Sequence, residues 1–87
     1  MMTRLWPEGD PIDVTLDRAQ EPAAFAWQGR THPVRRIRQR WQVDSEWWSP
    51  SGRVWRDYVA ITTGDGLLCV LFHDRLAEAW FLEKVYD

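Results

Sequence analysis

The chain has 87 residues, 45% of them hydrophobic and 28% charged, with a formal net charge of −2. That length makes one domain, which at this size hides only about 60 to 65% of the surface its unfolded form exposes. The single cysteine, Cys69, excludes an internal disulfide framework, and nowhere do the roughly eighteen consecutive apolar residues of a membrane-spanning helix occur. Met1 to Leu16 has no apolar run, so no signal peptide is expected and the cytoplasm is the default location.

A short chain needs an efficient core, and the seven Trp residues are suited to supply it. Each can bury roughly 150 to 250 Å², which at about 25 cal/mol per Å² is an upper bound of roughly 4 to 6 kcal/mol of transfer energy. The charge is uneven: residues 1 to 27 hold two Arg against five acids, and residues 57 to 87 hold Arg75 and Lys84 against six. Between them, residues 28 to 56 carry seven Arg against Asp44 and Glu46, a basic island. Arg binds planar carboxylates and phosphates bidentately and stacks on aromatic rings better than Lys. A high-GC codon bias produces the same preference without any such function.

Residues 1 to 11 hold Pro7, Gly9 and Pro11 among charges and read as a loose lead-in. Ile12, Val14 and Leu16 alternate with polar residues, the period of a half-buried strand, and Asp17 to Pro22 is a connection. Ala23, Phe25 and Trp27 share one strand face, and Gln28, Gly29 and Arg30 form a hairpin turn into a strand beginning near Thr31. In that strand Val34, Ile37 and Trp41 also fit helical spacing, whereas Ile37, Gln39, Trp41 and Val43 share strand parity. The flanking hairpins favour the strand, with a one-residue bulge near Arg35 bringing Val34 onto the same side.

Asp44 to Glu46 breaks the pattern before Trp47 and Trp48, and Ser49 to Gly52 is a turn. Val54 to Thr62 is β-rich, Thr63 to Gly66 closes a hairpin, and Leu67 to His73 is an almost uninterrupted apolar run of central-strand length. Ala79 to Tyr86 reads as the last strand, although Leu76 to Trp80 would suit a helix started by Asp74. The expected fold is all-β: an antiparallel meander of six strands, curled into a small barrel or a strongly bent sheet.

No constellation of residues points to catalysis. Cys69 and His73 share a strand face, but four residues of rise separate them by about 13 Å, whereas a nucleophile and its base need about 3 Å. Cys69 between Leu68 and Val70 reads as a small buried apolar residue. His32, Cys69 and His73 lack zinc-ligand spacing, so no metal or cofactor is expected. Asp44 with Glu46, and Asp57 with Asp74, read as turn acids rather than an acid–base pair. Gly64 and Gly66 sit in a hairpin without the helix or Lys of a phosphate loop.

The basic island is the most suggestive feature. On a strand, Arg36, Arg38 and Arg40 project together from the face opposite Ile37 and Trp41, with Arg30 at the preceding turn and Arg53 and Arg56 on a neighbour. Their repeat of about 6.6 Å approaches the phosphate spacing of a nucleic-acid strand, and Trp48 or Trp55 would stack on unpaired bases. The bland alternative is a solvated face whose arginines pair with acids of adjoining strands. Adjacent Trp47 and Trp48 cannot both face inward if extended, so one is a candidate anchor for a protein partner or a flap over the barrel mouth.

Phe25-Ala26-Trp27-Gln28-Gly29-Arg30, then Val34, Ile37 and Trp41, Trp47-Trp48, Arg56-Asp57-Tyr58, Leu71-Phe72-His73-Asp74, Trp80-Phe81-Leu82 and Val85-Tyr86-Asp87 together resemble an uncharacterised bacterial domain family. That family occurs as small stand-alone proteins and as a C-terminal tail on ImuB-like relatives of Y-family DNA polymerases. The resemblance runs from about Pro22 to Asp87 and implies a non-enzymatic accessory of error-prone repair, contacting a polymerase, a clamp or the template. It carries no catalytic residues. Relatives tend to have Gly where this chain has Ala77-Glu78-Ala79.

Overall fold

The computed structural model describes residues 3–45 and 52–86. Among them are six strands: β1 (Thr3–Leu16), β2 (Pro22–Trp27), β3 (Arg30–Ser45), β4 (Val54–Thr63), β5 (Leu68–Asp74) and β6 (Ala79–Tyr86). Each pairs antiparallel with its neighbour in sequence, and β1 pairs with β6, so the meander closes into a ring. The all-β expectation holds, and both helical alternatives fall. Residues 34 to 41 are strand, and Leu76 to Glu78 lie in a turn where Asp74 Oδ1 accepts from the Leu76 and Ala77 amides.

Left-handed backbone residues close the hairpins, with a two-residue turn between β2 and β3 and a four-residue turn between β5 and β6. Gln28 (φ 51°) and Gly29 (φ 74°) give the doubly positive geometry that matches strand twist. Glu78 (φ 52°) takes the left-handed conformation for which relatives were expected to use Gly.

The N-terminal reading needs correction, because β1 begins at Thr3 rather than at Ile12. The Pro and Gly residues that suggested a lead-in are absorbed by an irregularity: Leu5 pairs with Lys84 but Asp10 already pairs with Leu82, so residues 6 to 9 arch out of register. The arch closes on the outer wall. Gly9 has φ +85°, and a Cβ there would lie 2.6 Å from the Phe81 Cβ and 2.8 Å from Phe72 Cζ.

Alternation builds two apolar clusters. Inside the ring are Ile12, Phe25, Trp27, Val59, Ile61, Cys69, Leu71, Leu82 and Val85. Outside it, Tyr58, Val70 and Phe72 form a second buried group with Val43, Ala60, Phe81 and Tyr86. Phe72 is 0% exposed although it points away from the barrel interior. This explains the uninterrupted apolar run in β5, which is covered on both faces.

Candidate functional site

The two ends of the ring differ. At one end Trp27 stands edge-on to Trp6 (centroids 5.5 Å apart), donates its indole N–H to Asp10 Oδ2 at 2.8 Å, and lies near the buried His32, which stacks on Phe25 at 5.2 Å. His32 Nδ1 is 3.5 Å from Asp65 Oδ2. Asp65 also accepts from the Thr63 hydroxyl, and that hydrogen bond, aided by the nearby imidazole, holds its carboxyl below the usual aspartate range. This end is plugged.

The other end is open. β3 pairs with β2 only through Arg30–Pro33 and continues to Ser45 alongside β4 alone. Beside this one-sided arm lies a cleft of about 570 Å³ whose lining includes Leu16, Pro22, Trp41 and Trp80, with Glu21, Arg40, Gln42, Asp57 and His73 among its polar members. Trp41 stacks on Tyr58 (5.3 Å, 5° between planes) yet remains 37% exposed. Across the gap Arg40 Nη2 reaches Glu21 Oε2 at 2.6 Å.

Arg40, Glu21, Gln42 and Asp57 of the cleft are already engaged. Asp57 accepts from Gln42 Nε2 on Oδ1 and from Arg75 Nη1 on Oδ2, both at 3.0 Å. A carboxylate held this way is poorly placed to take a proton from a substrate. The His73 ring lies 5.1 Å from Trp80, and Cys69, on the same face, is buried in the core. Asp57 faces His73 across the β4–β5 ladder, so its side chain is on the opposite face from Asp74. Among the described residues no group of three His, Cys, Asp or Glu side chains is gathered as metal ligands would be. The open end offers apolar surface on both faces of the sheet, Trp80 on the interior side and Trp41 stacked on Tyr58 on the outer side.

The arginine face takes a different form from that expected. The bulge at Arg35 is present, but a second register shift at Arg38 reverses the parity beyond it. Ile37 opposes Ile61 on the interior side, whereas Trp41 opposes Tyr58 on the outer side, so the two do not share a face. Arg40 opposes Val59 on the interior side, Arg36 opposes Thr62, and Arg38 occupies the bulge. The collinear trio is therefore broken. Arg53 pairs with Asp44 (Nη2 to Oδ2, 3.2 Å), and Arg53 and Arg75 both lie over Trp55 at 4.5 Å, leaving that ring unsuited to base stacking. Arg56 covers Phe72 at 4.3 Å and donates to the Tyr58 hydroxyl.

Arg30, Arg35, Arg36 and Arg38 remain exposed without an ion pair among the described residues. Arg35, Arg36 and Arg38 meet around Thr62. Trp47 and Trp48 lie outside the described residues. The cleft itself has no signature in the sequence, because it arises where β3 runs on past its pairing with β2, between Leu16 and Trp41 on strands that no ladder joins.

Over residues 7–87 the chain matches a family described as a domain of unknown function, DUF6504. The protein belongs to that family. No curated protein and no solved structure matches this member, and among the described residues no helix is long and apolar enough to cross a membrane.

Proposed function

We propose that this DUF6504 protein is a non-enzymatic interaction module that holds a partner protein at its open end. The carrying observation is the cleft beside the β3–β4 arm, where exposed Leu16 and Trp41 and half-buried Trp80 stand at the open end around the buried Tyr58 and Pro22. Trp and Tyr are the side chains most often found to anchor protein interfaces, because they combine large area with few rotatable bonds. Arg40 with Glu21, and Gln42 with Asp57, are tied to one another and add orientation.

The setting we infer is DNA damage tolerance, with a translesion polymerase or another repair protein as partner. Its support is the likeness of this chain to tails carried by ImuB-like polymerase relatives. Photo-crosslinking from position 16, on the exposed rim of the cleft, in DNA-damaged cells tests it. Crosslinks to a polymerase or recombination protein are expected, and Trp41→Ala lowers their yield; recovery of neither class overturns the reading.

A second reading, single-stranded nucleic acid bound by a small barrel, rests on Arg30, Arg35, Arg36 and Arg38 being exposed and without an ion pair among the described residues. It predicts oligonucleotide binding that weakens steeply with salt and falls with Arg38→Glu. Absence of a mobility shift at low salt eliminates it.

A further inference from the structure

From Gln39 to Ser45 the arm is a regular strand without a bulge, paired to β4 on one side and, among the described residues, to nothing on the other. An open edge of seven residues is a template for another strand. We propose that a second copy of this chain occupies it, β3 pairing antiparallel with β3 about Gln42.

Facing and charge together select this occupant. In an extended sheet, residues directly opposite each other lie on the same face, so an outer residue of one copy must meet an outer residue of the other. The ladder with β4 puts Trp41 and Val43 on the outer face, where they oppose Tyr58 and Arg56. It puts Arg40, Gln42 and Asp44 on the inner face, opposite Val59, Asp57 and Trp55. A twofold axis at Gln42 satisfies this rule. It sets Trp41 against Val43 of the other copy and Arg40 against Asp44 of the other copy, and symmetry makes each pair twice. Moving the axis to Trp41 replaces both pairs with Trp41 against itself and Arg40 against Gln42. Moving it to Val43 leaves Asp44 against Gln42.

The present partners of these charges do not prevent the pairing. Arg40 is more than half exposed and spends one guanidinium nitrogen on Glu21, and Asp44 accepts from Arg53 with both oxygens while keeping lone pairs to spare. Seven residues of strand bury less than the roughly 1,200 Å² of a stable interface, so the dimer is weak and concentration-dependent. Arg40, Trp41 and Gln42 of this edge also line the cleft, so the dimer and the partner proposed above compete for the open end, and self-association of the isolated chain is measured without that partner.

Sedimentation of the whole chain from micromolar to millimolar concentration tests this, together with charge complementation. Arg40→Asp and Asp44→Arg each set like charges in both symmetric pairs, and each is expected to weaken self-association at least tenfold. Mixed one to one, the two variants make every pair opposite in sign again and are expected to restore association as heterodimers. Gln42→Cys places two thiols across the axis at the short separation of facing strand residues, and air oxidation is expected to give a disulfide dimer. Arg36→Cys is not expected to do so.

A monomer at millimolar concentration overturns the proposal, as does self-association unaffected by both charge variants. Failure of the mixture to associate when each variant alone is impaired and folded overturns the register. Slowed amide exchange at residues 39 to 45 on adding a foreign peptide, with no self-association, assigns the edge to another protein and overturns it equally.

Discussion

The two halves of β3 have the same backbone and opposite circumstances. Arg30–Pro33 is hydrogen-bonded on both sides, to β2 directly and to the β4–β5 turn through the Gly64 amide and the Pro33 carbonyl, and it flanks the buried His32. Gln39–Ser45 is hydrogen-bonded on one side, carries exposed Trp41 and borders the cleft. The difference shows how one strand serves two ends: where neighbours enclose it, its side chains make core, and where they part, its edge and side chains become surface for recognition. Two bulges, at Arg35 and Arg38, separate the halves; between them odd-numbered Ile37 faces in, and the second bulge returns the inward positions to even numbers, so that His32 and Val34 face in on one half and Arg40 and Gln42 on the other.

The most severe test of this division is Phe72→Ala. Phe72 receives Tyr58, Phe81 and Arg56, and Tyr58 in turn carries Trp41, so this ring ties the arm to the body. Its loss is expected to lower stability by about 3–5 kcal/mol in urea unfolding. It is also expected to speed amide exchange in Gln39–Ser45 before it does so in Arg30–Pro33. Equal acceleration of both segments would erase the distinction. Next comes Gly9→Ala, which forces a side chain into left-handed backbone against Phe81 and Phe72, with an expected loss of about 2 kcal/mol read by thermal unfolding.

The plugged end alone should respond to acid through Asp65. Its carboxyl is held lower in the folded state than in the unfolded chain, so its contribution is complete above the usual aspartate range and disappears as pH falls through the folded value. Unfolding measured from pH 6 down to pH 2 is therefore expected to show a component that Asp65→Asn removes. The smallest effect is expected from Arg40→Ala or Glu21→Ala. Their ion pair is solvent-exposed, and its loss should change stability by less than about 1 kcal/mol in the same urea assay.

Strand periodicity and turn chemistry made most of the ring legible. The hairpin at Gln28-Gly29, the apolar run of β5 and the alternation in β4 all appear where local pattern alone puts them. The site was less legible, for reasons that can be traced to single positions. The bulge at Arg35 had a signature, since Val34 fell out of phase with Ile37. The one at Arg38 had none, because it arises from the pairing of Ile37 with Ile61 and Gln39 with Ala60 across the ladder. Missing it put Trp41 on the wrong face and lined up three arginines that the structure separates. Arg56 was read as outward and basic, and it does point outward; what alternation could not show is an apolar outer wall for it to cover.

Cys69, at 1% exposure in the middle of the barrel, gives this protein a built-in clock. A bulky thiol reagent cannot reach the sulfur until the strands around it separate, so its labelling rate counts excursions of the whole ring rather than local fraying. Under conditions where reclosing outruns the reagent, that rate reports the equilibrium of opening, and no engineered tag is needed to follow it.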